Sequence, residues 1–282
     1  MLATHKLILN QQQSWARQRG IEIDDNGYTL SLNDNFFSPL SPETIKEFKS
    51  GKGDELGDSG SRGKMQALHS SSALVVNVFE YWRSRNVDAI ARVCGAPSGM
   101  TELHFEITHP TPLGGIPPHL DLEFHGAADI KPVAIESKFT ELYYRHTKRI
   151  IKAKYFSVPG LWAQLPRCEK LVRRIHEEEQ GKTSFVYLDT PQLLKHILGL
   201  ATKFGPKGFQ ILYLWYENPS IEAEKHRSEI VVFKEYVGEE VDFRDMTYQE
   251  LFKAINKLSS TDRDYVSYLH DRYFPSLADL KC

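Results

Sequence analysis

The sequence predicts a mixed α/β domain, an α+β arrangement in which helices flank one mixed sheet. Three short strand-like segments follow one another between helical segments, at 103–107, 119–124 and 132–139. A continuous apolar run at 209–217 has the length of a strand and is typical of a buried central strand. From residue 70 onward the patterns read α-β-β-β-α-α-β-α-β-α-α, which indicates a sheet covered by helices.

Length and composition exclude several classes of protein. The chain has 282 residues, of which 41% are hydrophobic, so it can form a core without disulfide or metal support. It has no long apolar run, and residues 1–13 do not resemble a secretory signal, so we expect a cytoplasmic protein without a membrane span. Cys94, Cys168 and Cys282 form no CxxC pair and are expected to be free thiols in a reducing compartment. The net charge of −2 excludes a globally basic DNA-coating protein but allows a local basic patch.

The first 69 residues are expected to form a helical N-terminal extension that ends in a glycine-rich loop. Helices are predicted at 4–19 and 41–50, the second with Ser41 as N-cap and Pro42 in its first turn. The segment 51–63 contains five glycines. It is either a surface connection or a mobile flap beside a polyanion, since Lys52, Arg62 and Lys64 lie within or next to it.

The region 70–258 is expected to form the core of the protein. A helix capped by Ser70 begins it, and a helical pattern at 141–180 is broken at Pro159-Gly160 and again at Pro166. Later patterns predict helices at 190–204, 219–237 and 247–258 and a short strand at 241–244. The remaining residues, 259–282, are expected to add a C-terminal helix that packs on this core.

The segment 117–141 carries the clearest chemical signal. If its two strands form a hairpin about Ala128-Asp129, Asp121 lies directly opposite Glu136. Facing side chains in such a pair have Cβ atoms about 4.5–5.5 Å apart, so both carboxylates can reach one ion. Lys138 is two residues after Glu136 and therefore shares its face of the sheet. The competing interpretation is an exposed hairpin with ordinary cross-strand salt bridges.

Two carboxylates and a lysine on one face suit metal-assisted phosphodiester hydrolysis. Hard oxygen ligands with open positions favour Mg²⁺, with Mn²⁺ as a substitute, and the backbone carbonyl of Ser137 is a further candidate ligand. Lys138 would orient the attacking water or stabilise charge in the transition state. The pattern acid-x-Lys occurs four times in the chain, but only Glu136-Ser137-Lys138 ends an apolar strand preceded by a strand with a central aspartate.

Asp121 and Glu136-Ser137-Lys138, in a helix–strand–strand–strand–helix–strand context, resemble the PD-(D/E)XK nuclease superfamily. The runs PPHLDLEF, VAIESKFTE, TPQLLKHILGL and ILYLWYEN resemble a group of prokaryotic restriction endonucleases within it. The resemblance covers roughly residues 70–258 and implies a restriction-endonuclease-like αβββαβ core. It also implies that Asp121 and Glu136 bind the metal ion and that Lys138 is catalytic. One departure is that Pro118 is separated from Asp121 by two residues.

The resemblance implies two further features of the site. Such nucleases often add an acidic residue from the first helix, for which Glu80 is the candidate, while Glu106 on the preceding strand competes for the same role. A Glu80 paired with a nearby Lys or Arg is the plainer alternative. Gln192 and His196, four residues apart, resemble a variant of a Gln-x-x-x-Tyr pair, and a partly exposed helix face is the alternative there.

A basic run follows the proposed site and is expected to contact DNA phosphates, although such runs are usually solvated faces. Its candidate DNA-binding residues are Arg145, Lys148, Arg149, Lys152 and Lys154. By analogy with the two-fold symmetry of duplex DNA, we also expect a homodimer.

The function expected from these observations is that of a Mg²⁺-dependent endodeoxyribonuclease of the type II restriction kind. The alternative from a different class is a non-catalytic DNA-binding or protein-interaction module that retains the nuclease fold. A third is an Fe(II) oxygenase that uses His119, Asp121 and a distal His176 or His196, but it leaves Glu136 and Lys138 unexplained. A phosphate-loop interpretation of Gly181-Lys182-Thr183 fails because His176 stands where the first glycine is required.

Overall fold

The computed structural model describes residues 3–51, 53–58, 60–145, 151–178 and 184–277. The described residues form ten α-helices and five β-strands. In chain order these are α1 (Thr4–Gln18), α2 (Pro42–Ser50), α3 (Ser71–Arg83), α4 (Val87–Val93), β1 (Met100–Thr108), β2 (His119–Gly126), β3 (Val133–Lys138), α5 (Lys154–Ser157), α6 (Pro166–Glu177), α7 (Thr190–Phe204), β4 (Gln210–Trp215), α8 (Ile221–Val237), β5 (Asp242–Thr247), α9 (Tyr248–Ile255) and α10 (Arg263–Tyr273).

Local capping signals set the starts of several helices. The Ser41 side chain accepts a hydrogen bond from the backbone N–H of Thr44, and Ser70 does the same for Ala73, so both predicted N-caps are confirmed. Asp189 caps α7 through the backbone N–H of Gln192. A proline in the first turn of α2 and of α7 occupies a position where its missing N–H costs nothing.

Two stretches differ from the predicted local structure. The short helix α4 was not predicted. Within the described part of 141–178, the helical pattern expected from residue 141 gives a 3₁₀ turn at Glu141–Tyr143, the four-residue α5 and then α6, which begins at the predicted break at Pro166. The described residues before α5 therefore carry less helix than predicted.

The five strands form one mixed sheet in the order β1-β2-β3-β4-β5. β1, β2 and β3 pair antiparallel, whereas β3, β4 and β5 pair parallel. The succession α3, β1, β2, β3, α7, β4 is the expected αβββαβ order, with α4 inserted before β1 and with α5 and α6 inserted before α7. The predicted mixed α/β fold is therefore confirmed.

Helices cover both faces of this sheet. On one face, Phe124 of β2 contacts Phe79 of α3, and Ser137 of β3 contacts Tyr248 of α9. On the other face, Glu136 of β3 contacts His196 of α7. Tyr213, which pairs with Glu136 from β4, contacts His226 of α8 on that same face. The acidic and basic residues of the hairpin thus lie on the α7 side of the sheet.

The first and last described helices meet around Arg272 of α10, whose side chain is fully buried. Its guanidinium donates to Gln12 of α1 (3.1 Å), to the backbone carbonyl of Asn35 (2.9 Å) and to the Tyr268 hydroxyl (2.6 Å). It also lies 4.4 Å from the ring centroid of Trp15. All of these partners are neutral, so Arg272 joins the N-terminal helix to the C-terminal one through charge-assisted hydrogen bonds.

The cysteines and the lengths of the helices bear on two further predictions. Cys94 and Cys168 are buried free thiols, while Cys282 lies outside the described residues. None of the described helices combines the length and the apolar character that crossing a membrane requires.

Candidate active site

The sheet opens where β2 and β3 separate. Their ladder pairs Leu122 with Ile135 and Phe124 with Val133, and in this register Asp121 faces Glu136, so the predicted register is confirmed. The ladder ends there, because the backbone N–H of Ser137 donates to Oδ2 of Asp121 (2.7 Å). A side chain therefore takes the place of the next backbone partner, and the two strands diverge around the acidic pair.

Glu136 lies between Lys138 and His196. Its Oε1 is 2.5 Å from Nζ of Lys138, and its Oε2 is 3.0 Å from Nε2 of His196. Glu136 and His196 are each only 1% exposed, and Lys138 is 14% exposed. Burial by itself raises the pKa of Glu136, but the charge of Lys138 and the interactions with Lys138 and His196 outweigh burial and lower the pKa to about 2.

Asp121 has the opposite electrostatic environment. Burial and the adjacent charge of Glu136 raise its pKa well above the ordinary carboxyl value, and Lys138 only partly offsets them. The site therefore holds one firmly ionised carboxylate beside another that resists ionisation. A cation between them would remove that conflict.

Glu106 of β1 adds a third carboxyl group to the same row. β1 pairs Phe105 with Leu122 and Ile107 with Leu120, so Glu106 stands opposite Asp121 just as Asp121 stands opposite Glu136. Burial raises the pKa of Glu106 to about 7, with further contributions from the charges of Glu55 and Glu136. Three acidic side chains from three adjacent strands thus line one edge of the opening.

Glu106 is also held in an uncommon backbone conformation. Its φ of +55° is the only positive value among the described residues other than glycine. Such a conformation costs about 1–3 kcal/mol and tends to persist where the surroundings impose it, frequently at functional sites. Its Oε2 lies 3.1 Å from Nδ1 of His119, two residues before Asp121. The glycine-rich segment reaches this side of the site, because a Cβ on Gly51 would lie 3.3 Å from the same oxygen.

The structure does not bring Glu80 to this cluster. Its carboxylate accepts hydrogen bonds from the N–H of Ser41 (3.0 Å), the hydroxyl of Thr44 (2.7 Å) and Nε of Arg83 (3.2 Å). The helix meets β3 at Ser71, and Glu80 lies nine residues further on, about 13 Å along the helix axis. Glu80 therefore anchors the start of α2, which agrees with the plainer alternative, and Glu106 takes the position next to Asp121.

Ser137 hydrogen-bonds to α3 and α9, which contact the face of the sheet opposite to Glu136. Its carbonyl accepts a hydrogen bond from Oγ of Ser71 (3.2 Å), and its hydroxyl lies 2.6 Å from the hydroxyl of Tyr248. A carbonyl oxygen has two lone pairs, so this bond leaves one acceptor position. These contacts hold the backbone of β3 in place between Glu136 and Lys138.

The two candidates on α7 lie on one face but contact different groups. His196 contacts Glu136, whereas Gln192, one turn earlier, lines a cavity of about 200 Å³ together with Lys138. Asp189 and Tyr213 also line this cavity. We refer to it as the Lys138 cavity.

Part of the basic run lies near the Lys138 cavity. Tyr187 lines the cavity. Burial raises the pKa of its hydroxyl, and the positive charge of Arg145 partly offsets that rise. Arg145, Lys152 and Lys154 are all exposed, and the ammonium of Lys154 lies 5.5 Å from the ring centroid of Tyr155. Lys148 and Arg149 lie outside the described residues.

The described residues do not form the ligand set that the Fe(II) oxygenase alternative requires. Across the described ranges, no three His, Cys, Asp or Glu side chains are grouped as metal ligands. His176 instead lies against Phe156, and His196 lies against Glu136. His119 and Asp121 share a face of β2, but neither distal histidine completes a triad with them.

Three features of the site were not predicted from the sequence. The contact between His196 and Glu136 depends on where α7 crosses the sheet. The position of Tyr213 depends on the parallel pairing of β3 with β4, and its apolar surroundings in the sequence carry no hint of a polar role. Asp189 had a usable signal, because an acid before Thr-Pro at a helix start is typical of an N-cap.

Comparison with known proteins assigns the chain to a family. The profile of a family described as restriction endonuclease associating with ARP matches residues 9–274, nearly the whole chain. Neither the curated proteins nor the solved structures yielded a significant match. The family match, together with the mixed sheet and its acidic opening, supports a nuclease-related function. The chain therefore belongs to the family of restriction endonucleases associating with ARP.

Proposed function

We propose that the protein is a Mg²⁺-dependent endodeoxyribonuclease that hydrolyses phosphodiester bonds of DNA. One observation carries the proposal: Asp121, Glu136 and Lys138 lie together at the point where β2 and β3 separate. Family membership supports the nuclease class and, with it, DNA as the substrate.

The donor set of the site fits a magnesium ion. Mg²⁺ prefers hard oxygen ligands, keeps several waters and is usually bound by one or two carboxylates plus substrate phosphate, so a complete protein cage is unnecessary. Asp121 and Glu136 supply two carboxylates, and the carbonyl of Ser137 lies between Glu136 and Lys138. The raised pKa of Asp121 means that negative charge at this position lacks a sufficient positive partner within the chain. When bound, the ion would supply Lewis-acid activation of water and of the phosphate.

Lys138 acts as a hydrogen-bond donor in this proposal. Burial lowers the pKa of its ammonium, but the charges of Glu136 and Asp121 outweigh burial and raise the pKa above the ordinary value. The side chain therefore stays protonated, which makes it unsuited to act as a base. Its N–H groups would orient the attacking water and stabilise negative charge on the phosphate oxygens as the P–O bond to the leaving group breaks.

His196 and Glu106 support the central groups. The contact between His196 and Glu136 fixes the carboxylate that pairs with Lys138. Glu106 extends the carboxylate row from Asp121 on the side away from Lys138.

Plasmid cutting tests this proposal. We expect the purified protein to nick or linearise supercoiled DNA with Mg²⁺ or Mn²⁺ and to leave it intact with EDTA. Lys138→Met should lower the rate about a hundredfold or more, because it removes a charged donor from the transition state. Lys131→Met is the matched control, since Lys131 ends the acid-x-Lys pattern at Asp129-Ile130-Lys131 but is exposed in the turn after β2.

Two results would contradict the nuclease proposal. One is full activity in Lys138→Met. The other is DNA binding without cutting of unmethylated, methylated or single-stranded DNA, which would favour the non-catalytic module. If the protein instead cuts both strands together, we propose that a second copy of the chain supplies the second site, and sedimentation of the DNA complex would test this.

The exposed lysines Lys152 and Lys154 form our proposed DNA-binding surface. The double charge reversal Lys152→Glu, Lys154→Glu should weaken DNA binding equally for unrelated sequences. It should also reduce the slope of log K against log salt by about two, one for each phosphate that the protein no longer neutralises. Fluorescence anisotropy at several salt concentrations measures both effects.

Lys257→Glu is the control for that surface, because Lys257 is exposed and follows α9, which contacts the sheet on the face opposite to Glu136 and α7. An unchanged salt slope in the Lys152→Glu, Lys154→Glu variant would show that these lysines do not contact DNA phosphates and form an ordinary solvated surface.

A further inference from the structure

We propose that the Lys138 cavity binds one unpaired nucleobase, preferentially guanine, from the nucleotide next to the phosphate that Lys138 contacts. This inference rests on the proposed nuclease function and names the part of the substrate that would be recognised beside the cut.

The Lys138 cavity adjoins the acidic site. Lys138 belongs both to the cavity wall and to the acidic site, where its Nζ contacts Glu136. A phosphate held by Lys138 would therefore place a neighbouring base within reach of the cavity. Arg145 acts electrostatically on Tyr187 in the cavity wall and is exposed, so it offers a charge for a flanking phosphate.

Asp189 and Gln192 bring polar side-chain atoms to the cavity wall. Asp189 uses Oδ1 to cap α7 through the N–H of Gln192 (3.0 Å). Within the described part of the chain, neither Oδ2 of Asp189 nor the side-chain amide of Gln192 has a hydrogen-bond partner. Both residues are half-buried and line the same cavity. These polar atoms are therefore available to hydrogen-bond a ligand in the cavity.

Part of the cavity wall is aromatic or aliphatic. Tyr187, Tyr213 and Leu142 provide aromatic and aliphatic surface on the same cavity. At about 200 Å³ the space is smaller than the pockets that hold drug-sized ligands, which begin at about 300 Å³. A flat ring between apolar walls, hydrogen-bonded at its edge, is how proteins read an unstacked base.

The polar groups favour guanine over the other bases. A carboxylate is an acceptor with room for about four hydrogen bonds, and the cap occupies only one of them on Asp189. The Watson–Crick edge of guanine presents two adjacent donors, N1–H and the 2-amino group, whereas thymine presents only N3–H. The amide of Gln192 can donate to the O6 acceptor of the same edge.

Nucleotide binding tests the inference without any need for cleavage. We would titrate dGMP, dAMP, dCMP and dTMP separately into the full chain in Mg²⁺ buffer by calorimetry. We expect dGMP to bind roughly tenfold more tightly than dTMP, as for other paired hydrogen bonds to one base edge. Asp189→Asn keeps a residue that caps helices well but replaces one acceptor by a donor, so it should abolish this preference.

Two further variants keep the test decisive. Gln192→Leu removes an amide that makes no hydrogen bond in the described structure, so folding should persist while dGMP binding weakens several-fold. Asp262→Asn changes the N-cap residue of α10, away from the cavity, and should retain the preference of the natural protein. Equal binding of the four nucleotides, no binding of any of them, or an unchanged preference in Asp189→Asn would each overturn the inference.

Sequencing of cut DNA ends separates this inference from the nuclease proposal. A guanine preference next to the cut that disappears in Asp189→Asn supports both. A protein that cuts without any base preference refutes only the cavity assignment. A protein that binds dGMP through Asp189 but cuts no DNA refutes only the nuclease.

Discussion

Asp121→Asn is expected to abolish cleavage and yet to make the metal-free protein more stable. The loss of activity should reach at least about a thousandfold, because the carboxylate is a proposed ligand of an ion that contributes several kcal/mol to the transition state. The gain in stability follows from burial and the charge of Glu136, which both disfavour an ionised Asp121. An asparagine retains the oxygen that accepts the N–H of Ser137 and carries no charge.

The pH dependence of this effect has a definite sign. The pKa of Asp121 is higher in the folded chain than in the unfolded one, so the folded chain favours the neutral acid. The associated stability is fully present below the ordinary carboxyl pKa and is lost as the pH rises through the raised folded value. In EDTA, Asp121→Asn should therefore resemble the natural protein near pH 4 and exceed its Tm at pH 8.

Glu136→Gln should be equally inactive but less stable. Here the folded pKa is depressed to about 2, so the ionised group contributes stability above the ordinary carboxyl pKa, and that stability is lost only as the pH falls toward 2. Removing the charge leaves Lys138 and His196 without their shared partner. Two inactive variants with opposite changes in Tm would establish the asymmetry of the acidic pair.

Thermal melts with and without Mg²⁺ provide the measurement. The ion should raise the Tm of the natural protein, since a ligand that binds only the folded state stabilises it, and this increase should vanish in Asp121→Asn. Asp129→Asn, in the exposed turn of the same hairpin, is the control and should behave as the natural protein in every assay. A lower Tm for Asp121→Asn at pH 8 in EDTA would contradict the electrostatic account.

Arg272→Met is expected to destabilise the folded protein strongly. It leaves Oε1 of Gln12 and Oδ1 of Asn35 buried without the donor that Arg272 supplies, and it removes the cation that lies over Trp15. Hydrogen bonds to a charged group contribute about 1.5–3 kcal/mol each, and their effects are not additive, so we expect a loss of about 3–5 kcal/mol. This is a large part of the roughly 5–15 kcal/mol by which proteins of this kind are usually stable.

Denaturant unfolding checks the Arg272 prediction. Arg263→Met, an exposed change in the first turn of the same helix, should alter the free energy of unfolding by no more than about 0.5 kcal/mol. Arg272→Lys should remain strongly destabilised because lysine lacks the planar fork that reaches several acceptors at once. If Arg272→Met stayed within about 1 kcal/mol of the natural protein, the contact between α1 and α10 would not depend on this residue.

Local rules account for what the sequence predicted correctly. The caps at Ser41 and Ser70 need only a side chain and a backbone N–H three residues apart. The facing of Asp121 and Glu136 needs only a hairpin and the two-residue period of a strand. Both depend on short stretches of chain, so the central pair of the site was predictable before any tertiary contact was known.

Tertiary packing decided the groups around that pair. Glu80 and Glu106 were both plausible in the sequence, and the choice depended on where α2 and β1 lie relative to β2. The Glu80 carboxylate accepts hydrogen bonds from Arg83 and from the start of α2. The β1–β2 register instead places Glu106 beside Asp121.

The same distinction applies to α7. Its helical period put Gln192 and His196 on one face, but only the crossing of α7 over β3 sends His196 to Glu136 and Gln192 to the Lys138 cavity. The sequence by itself determined the fold class, the central hairpin and its acidic pair, because caps and strand alternation act over a few residues. The third carboxylate, the histidine partner and the cavity were decided by contacts between distant segments, since only packing sets which helix covers which strand.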